Sequence, residues 1–212
     1  MNKRNLLCIL IILLANKLMH TQKINTEILI GMDDSRIVSD TILLEKETYS
    51  AFIKMKDAAE KDGIIIKLVS GFRDFYRQQM IWNNKYKKFT NEFSLDGPTA
   101  IKEIIRFSTI PGTSRHHWGT EIDIIDKNFE NEKDLLISKK YEEGGIFNSL
   151  KKWMDKNSKR FGFYIVYDDD SNRPGFEYEP WHYTYKPISD LYQREFLKPV
   201  SYTHLRAHET VL

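Results

Sequence analysis

Three stretches of the chain repeat their apolar residues at the spacing of an α-helix. The first predicts a helix over roughly residues 43–61, with Gly63 as a natural stop. The second begins at Asp74, a residue type that favours the helix N-cap, and runs to about residue 89. The third covers residues 144–160. The apolar positions that support the three helices are, in order, Tyr49, Phe52, Ile53 and Ala59; Tyr76, Met80 and Ile81; and Phe147, Leu150 and Met154.

Shorter apolar stretches predict β-strands. Residues 64–69 form a β-branched run that is too short for a helix and is typical of a buried strand. Residues 120–125 alternate, which places two isoleucines on one face and the acidic residues Glu121 and Asp123 on the other. Two further strands are predicted at residues 161–167 and 179–185. The economical assembly is an α+β fold, with helices packed on a mostly antiparallel sheet.

The two ends of the chain differ from this pattern. A short basic stretch precedes an apolar run at residues 6–15, which is typical of a secretory signal. The run is shorter than the ~20 apolar residues of a membrane span, but no A-x-A cleavage site follows it. Residues 1–21 are therefore either a signal peptide or an N-terminal anchor, with a buried helix as the plainer alternative. Residues 201–212 lack apolar periodicity and predict a non-native or frayed tail, which leaves residues 22–200 as the domain.

Composition favours one globular domain. The chain has 212 residues, of which 41% are hydrophobic, enough to bury one good core. Its 32 Lys and Arg are mixed with 30 Asp and Glu along the chain, so there is no electrostatic case for nucleic-acid binding. The single cysteine, Cys8, lies in the N-terminal apolar run, so an exported mature domain would depend on its core or on a bound metal rather than on disulfides. We expect a monomer.

Two short stretches carry residue types that bind metal ions. His116 precedes the predicted strand at residues 120–125, and Asp123 points away from the isoleucines of that strand. Glu179 and His182 are three residues apart, which on a regular strand would put them on opposite faces. The proline between them favours the irregular backbone that a shared site requires.

The histidines are concentrated in these stretches. Without the two ends, the chain contains only His116, His117 and His182. Two imidazoles and one carboxylate are the ligand composition of a catalytic zinc site, and a nearby free Glu is the base that metal-assisted hydrolysis needs. From spacing alone, an equally good interpretation is a set of hydrogen-bonded polar residues under an aromatic surface patch.

Arg73 follows the predicted strand at residues 64–69, at the corner where the chain enters the next helix. Loops at such corners carry functional residues on a rigid scaffold. A guanidinium group there can face a carbonyl oxygen or a carboxylate with two parallel donors. The plainer alternative is a surface arginine that pairs with Asp74 or with a helix terminus.

In this order, the three stretches resemble the motifs of the VanY-type zinc D-alanyl-D-alanine carboxypeptidases. That family also includes L,D-carboxypeptidases that trim peptidoglycan stem peptides. Its pattern runs S-G-[YF]-R, then S-x-H-x-x-G-x-x-x-D, then E-x-W-H. The sequence supplies SGFR at 70–73, SRHHWGTEID at 114–123 and EPWH at 179–182, and the resemblance covers roughly residues 45–190.

The resemblance implies roles for individual residues. Zinc would be bound by His116, Asp123 and His182. Glu179 would be the general base that takes a proton from the attacking water and returns it to the leaving amine. Arg73 would polarise the scissile carbonyl and stabilise the developing oxyanion. The positions that lie near the substrate's terminal D-alanine in the family are Ser114 and Gln78.

Four residues near the motifs need separate interpretations. His117 stands where the family commonly has glutamine, so we expect it behind the ligands or in the cleft wall. Glu121 stands where the family often has a small apolar residue. Its carboxylate strengthens the local negative field and could pair with a cationic group. The departure puts the substrate preference in question. Trp181 is either the substrate-binding wall of the cleft, which we prefer, or core packing, and Trp118 is either a lid or core.

The leading hypothesis is an exported zinc metallocarboxypeptidase of the periplasm or the bacterial cell surface. It would remove the C-terminal D-alanine from peptidoglycan stem peptides. The first alternative is an endopeptidase that cuts peptidoglycan cross-links with the same metal chemistry. The second is a non-catalytic module that binds cell wall, which the presence of both Glu179 and Arg73 disfavours.

Overall fold

The structure, a computed structural model, describes residues 24–38 and 41–198. The predicted signal or anchor at residues 1–21 and the predicted tail at residues 201–212 lie outside the described residues. Within the two described ranges, no helix is both long and apolar enough to cross a membrane.

Four strands form one antiparallel sheet in the order β1-β2-β4-β3. The strands are β1 (Ile66–Ser70), β2 (Glu121–Asp126), β3 (Phe163–Ile165) and β4 (His182–Tyr185). Each overlaps a stretch that the sequence pattern predicts as a strand. β2 is central and pairs with both β1 and β4, so the residues of these three strands are brought close together.

Six α-helices accompany the sheet in the described part of the chain. They are α1 (Thr26–Leu29), α2 (Lys46–Lys61), α3 (Phe75–Asn91), α4 (Gly97–Ile105), α5 (Asn148–Asn157) and α6 (Lys186–Phe196). The three predicted helices correspond to α2, α3 and α5. The sequence pattern does not predict α4 and α6, each of which has a proline in its first turn, where the missing N–H costs nothing.

The main core lies between the sheet and helices α2 and α5. Ile122 and Ile124 of β2 are buried in it, as the alternation of that strand predicts. The helices contribute the buried side chains of Phe52, Met55, Leu150 and Met154. Helices packed on an antiparallel sheet confirm the predicted α+β fold.

Two details of the sequence prediction are wrong. β1 is not fully buried, because it is an edge strand of the sheet and Val69 is 42% exposed. The apolar side of α3 does not enter the core, since Tyr76 and Met80 are exposed and the buried residue of this helix is Gln78. α3 packs beside the cleft described below rather than on the main core, and the face that it turns to the cleft combines polar Gln78 and Lys85 with Ile81.

A second, smaller cluster contains Trp118. Its ring packs edge-on against Tyr192 of α6, and its Nε1 atom donates a hydrogen bond to the carbonyl oxygen of Leu29 at 3.1 Å. Trp118 is therefore core rather than a lid. This cluster fixes the turn that carries His116 and His117.

Candidate active site

A short 3-10 helix at Arg115–Trp118 positions the first predicted ligand. The Ser114 side chain accepts a hydrogen bond from the backbone N–H of His116 at 3.3 Å and caps this turn. Gly119 ends the turn with φ 68°, and a Cβ atom there would lie 2.9 Å from the backbone nitrogen of Glu45. Only glycine suits this position, which delivers His116 immediately before β2.

The sheet register aligns the second and third predicted ligands. Asp123 on β2 pairs with His182 on β4 and, on its other side, with Ser70 on β1. Glu179 precedes β4 in a turn in which the His182 N–H donates to the Glu179 carbonyl oxygen at 3.0 Å. The irregular backbone predicted around Pro180 is thus confirmed, and it brings the carboxylate of Glu179 to 2.8 Å from Nδ1 of His182.

His116, Asp123 and His182 form a cluster whose candidate ligand atoms all lie within 4.8 Å of one another. Nε2 of His116 is 3.4 Å from Oδ2 of Asp123, and Nδ1 of His182 is 3.9 Å from Oδ1 of Asp123. Such spacings suit atoms that each lie about 2 Å from one ion. Oδ1 of Asp123 is buried and accepts no hydrogen bond from any described residue. The donor set and this unsatisfied oxygen fit a zinc ion.

The protonation states of the two histidines differ. Burial and the positive charge of Arg73 hold the pKa of His116 well below its usual value, so its ring is neutral, as a metal ligand requires. Its Nδ1 atom donates to the Gly71 carbonyl oxygen at 2.7 Å, which leaves Nε2 to face Asp123. Burial alone would lower the pKa of His182, but hydrogen bonds to Glu121 and Glu179 raise it to about 10. The surroundings of His182 therefore favour positive charge.

Asp123 lies in the same electrostatic environment. Burial raises the pKa of its carboxyl group to about 6, and the negative charge of Glu179 adds to the rise. A site with several buried carboxylates and few donors favours a divalent cation, because the cation offsets the cost of keeping these groups charged in the interior.

Arg73 lies where predicted, between the end of β1 and the start of α3. Its guanidinium donates to Oε1 of Gln78 at 2.6 Å and to Oγ of Ser70 at 3.1 Å. Gln78 is fully buried and donates in turn to the carbonyl oxygen of Thr109 at 2.7 Å. Gln78 lies behind Arg73 and does not line the cavity. Its position therefore supports a role in orienting the guanidinium group of Arg73.

His117 also supports the Arg73 segment. Its Nε2 atom lies 3.0 Å from the Gly112 N–H, which can only donate, so the ring proton is on Nδ1. Nδ1 then donates to the carbonyl oxygen of Arg73 at 2.6 Å. Burial lowers the pKa of His117 to about 4, which keeps this neutral form. His117 is not a member of the metal-ligand cluster, in agreement with the interpretation from the sequence.

One cavity of about 430 Å³ collects the predicted site residues. All of them except Gln78 line it: Arg73, Ser114, His116, Asp123, Glu179, Trp181 and His182. The aromatic ring of Trp181 also packs against Tyr141, with ring centroids 5.6 Å apart, so this residue belongs to both the wall and the core. The individual roles stay predictions.

Sequence reasoning missed Lys85, which also lines the cavity. Its Nζ atom donates to Oγ of Ser108 at 3.1 Å, and it forms no ion pair with a carboxylate of the described residues. Burial and the charge of Arg73 lower its pKa. Helical spacing contained the signal, because Gln78, Ile81 and Lys85 follow an i, i+3, i+7 pattern that places them on one face of α3.

Comparison with known proteins agrees with this arrangement. The family model of VanY, D-alanyl-D-alanine carboxypeptidase, matches residues 41–188. YodJ of Bacillus subtilis (strain 168) is 34% identical over 145 residues, which cover 67% of this chain and 46% of YodJ. A D-alanyl-D-alanine carboxypeptidase of Enterococcus faecalis is 32% identical over 136 residues, which cover 62% of this chain and 44% of that protein. The chain thus spans about half the length of these two curated relatives.

Solved structures show the same fold. A vancomycin-resistance VanY variant in complex with Zn(II) aligns with a TM-score of 0.58 and 25% identity, covering 76% of this chain and 88% of that one. VanYB in complex with D-alanine-D-alanine aligns with a TM-score of 0.57 and 25% identity, covering 75% and 82%. The L,D-carboxypeptidase LdcB aligns with a TM-score of 0.54 and 27% identity, covering 78% of this chain and 76% of LdcB. The chain belongs to the VanY family of D-alanyl-D-alanine carboxypeptidases.

Proposed function

We propose that the protein is a zinc-dependent carboxypeptidase that releases the C-terminal D-alanine from peptidoglycan stem peptides. The observation that carries this proposal is the composition of one cavity. It holds the His116, Asp123 and His182 cluster, a carboxylate at Glu179 and the cation Arg73. These are the parts that metal-assisted peptide hydrolysis requires.

The proposed zinc ligands are His116, Asp123 and His182. A zinc ion bound by them supplies a Lewis acid that makes water nucleophilic at neutral pH. Glu179 accepts a proton from the attacking water and then donates it to the leaving amine of D-alanine. Support for this role comes from its position beside the cluster, 2.8 Å from Nδ1 of His182, and from its burial, with only 7% of the residue exposed.

Arg73 stabilises the negative charge that develops on the carbonyl oxygen of the scissile bond. Its guanidinium is held by Gln78 and Ser70, so little reorganisation is needed during the reaction. Ser114 and Trp181, which line the cavity, contact the terminal D-alanine.

Lys85 favours an exopeptidase over an endopeptidase. An exopeptidase substrate ends in a free carboxylate, whereas a substrate cross-linked through a lysine side chain has none next to the scissile bond. A cavity ammonium group that no carboxylate of the described residues pairs with favours an anionic ligand. Lys85 therefore binds the C-terminal carboxylate of the substrate, with Ser108 orienting its ammonium group.

The proposed place of action follows from the substrate. Peptidoglycan lies outside the cytoplasmic membrane, so we assign the protein to the periplasm or the cell surface, with residues 1–21 as signal or anchor and residues 22–200 as a monomeric catalytic domain. The solved structure of LdcB, which shares the fold, concerns the molecular basis of peptidoglycan recognition.

The test is release of D-alanine from synthetic stem pentapeptide and tetrapeptide by the full chain, with and without a chelator. Glu179→Ala abolishes release and keeps the metal. The matched control is Glu177→Ala, which removes an exposed carboxylate that pairs with Arg106 and leaves release unchanged. The preferred peptide distinguishes D,D- from L,D-specificity. A zinc-loaded protein that releases no D-alanine from either peptide but cleaves cross-linked muropeptides is an endopeptidase, and one that only binds them is a non-catalytic module.

A further inference from the structure

Glu121 is a carboxylate in the interior of the sheet. It begins β2 and is 0% exposed, although a small apolar residue often stands at this position in the motif that the sequence resembles. Its Oε1 atom accepts hydrogen bonds from Oγ1 of Thr184 at 2.7 Å and of Thr120 at 3.2 Å. A charged group in such a place is costly unless it is paired, so its partners indicate what it does.

Arg115 is the charge partner of Glu121. Its Nη2 atom lies 3.2 Å from Oε1 of Glu121, and only 17% of its side chain is exposed. The guanidinium stacks over the ring of Trp118, 4.7 Å from the ring centroid, and donates to Gln193 on α6 at 3.1 Å. The arginine is therefore held in place by packing as well as by charge, which makes the pair rigid.

The second oxygen of Glu121 faces a predicted zinc ligand. Oε2 lies 3.0 Å from Nε2 of His182. An ionised carboxylate only accepts hydrogen bonds, so the proton of this contact belongs to Nε2. In the neutral ring that binds a metal, the lone pair is then on Nδ1, which lies 2.8 Å from Oε2 of Glu179 and 3.9 Å from Oδ1 of Asp123.

We infer that Glu121 and Arg115 form a positioning pair that fixes the tautomer and orientation of His182 for zinc binding. Glu121 holds Nε2–H, and Arg115 keeps Glu121 charged and immobile. A carboxylate behind a ligating histidine raises the basicity of the ligand and tightens the metal site. Glu121 does not line the substrate cavity but Arg115 does, so zinc affinity, which involves no substrate, is the readout that isolates the effect of the pair on His182.

This inference rests on the metal site of the proposed function but not on the proposed substrate. It is tested by zinc affinity, measured at neutral pH by competition with a chromophoric chelator on the full chain. The main variant is Glu121→Leu combined with Arg115→Leu, which removes both charges so that neither is left buried alone. The expected result is a folded protein whose zinc affinity is about 10- to 100-fold lower than that of the wild type.

Conservative and control variants separate positioning from general packing. Glu121→Gln keeps an acceptor for Nε2–H without the charge, so it retains more zinc affinity than the double variant. Thr184→Val removes the hydrogen bond that its hydroxyl donates to Glu121 and the one that it accepts from Arg115, but leaves both charges and the contact between Glu121 and His182 in place, so its zinc affinity stays within about threefold of the wild type. Thermal unfolding of the metal-free proteins reports any loss of stability separately from the loss of affinity.

Nitrogen-15 NMR of histidine-labelled, zinc-loaded protein gives a second readout. The wild type shows His182 protonated at Nε2 with slow proton exchange, and the double variant loses this protection. A double variant that binds zinc within about threefold of the wild type, or a wild-type His182 protonated at Nδ1, overturns the inference. A wild type that binds no zinc overturns it together with the metal part of the proposed function, whereas a protein that binds zinc but releases no D-alanine overturns only the proposed reaction.

Discussion

The ring of His117 links Arg73 to the loop before the metal-ligand turn. Its Nδ1 atom donates to the Arg73 carbonyl oxygen at 2.6 Å, while Nε2 accepts from the Gly112 N–H at 3.0 Å. One buried side chain thus satisfies two backbone groups from different segments. The direction in which Arg73 leaves the backbone depends on this bridge.

His117→Leu removes both hydrogen bonds and leaves an N–H and a carbonyl oxygen buried without partners. We expect the free energy of unfolding to fall by about 2–5 kcal/mol. His117→Gln retains a donor and an acceptor, so its free energy of unfolding falls by less than half as much. Chemical denaturation of the metal-free proteins measures both changes, and equal losses in the two variants would show that ring packing, not hydrogen bonding, is the important property of His117.

Arg73→Ala lowers kcat for D-alanine release by about 100- to 1,000-fold, because one preformed donor to the oxyanion is lost. Zinc content is unchanged, since Arg73 is not a predicted ligand. The kcat of Arg73→Lys lies between those of the wild type and Arg73→Ala, because lysine keeps the charge without the two parallel donors. The matched control is Arg77→Ala on the exposed surface of α3, the helix that follows Arg73, and an equal loss of kcat in that variant would contradict the role of Arg73.

Lys85→Met raises KM for a peptide with a free C-terminal carboxylate by about 10- to 100-fold, the value of a charged hydrogen bond. For the C-terminally amidated peptide, Lys85→Met and the wild type have the same KM. Exposed Lys87 on the same helix supplies the control, Lys87→Met. An unchanged KM with the free-acid peptide would remove the main argument against an endopeptidase.

The contribution of Lys85 also depends on pH. Its pKa is lowered from the lysine value of 10.5 by burial and by the charge of Arg73, so the folded protein loses this proton at a lower pH than an exposed lysine does. The positive charge is present below the lowered pKa and absent above it. The ratio of KM between Lys85→Met and the wild type is therefore largest near neutral pH and approaches one on the alkaline side, starting below pH 10.5. A ratio independent of pH would exclude the ammonium charge as its cause.

Gly31→Ala tests the packing beneath His117. Gly31 has φ 78°, and a Cβ atom there would lie 2.4 Å from Nδ1 of His117. Gly63 has φ 81° with nothing within 4 Å of the corresponding position, so Gly63→Ala measures backbone strain alone. We expect a loss of about 1–2 kcal/mol for Gly63→Ala and a further loss of about 1–3 kcal/mol for Gly31→Ala. The same Cβ atom would lie 2.9 Å from the backbone nitrogen of Phe75, so equal losses would mean that both the ring of His117 and this backbone segment move aside freely.

Zinc raises the unfolding temperature of the wild type by about 8–16 °C at a free concentration near 1,000 times Kd. Asp123→Asn loses the predicted carboxylate ligand, so zinc raises its unfolding temperature by less than half as much. The metal-free variant is at least as stable as the metal-free wild type, because one of several neighbouring buried carboxylates has been removed. Calorimetry with and without zinc measures both effects, and a full rise in Asp123→Asn would exclude Asp123 as a ligand.

The parts of the site that local sequence patterns describe were predictable, and the parts that depend on packing between distant segments were not. The alternation in β2 and the proline before His182 indicate where Asp123 and Glu179 lie. The partner of Glu121 was expected only to be some cation, since nothing in the spacing of Arg115 on its turn shows that the guanidinium folds back over Trp118. The apolar residues of α3 misled the pattern analysis because this helix covers a polar cleft, where the buried position belongs to Gln78.

The cross-strand row formed by Ser70, Asp123 and His182 has a consequence for the order of folding. The two predicted ligands in this row come from strands β2 and β4, which are separated by more than fifty residues and by α5 and β3 in the chain. Neither segment alone contains three ligands, so high-affinity zinc binding requires that the long-range β2–β4 pairing already exists. In the proposed function, zinc would therefore bind late and lock a sheet that has formed without it, unlike the metal of a zinc finger, which organises a chain that is unfolded in its absence.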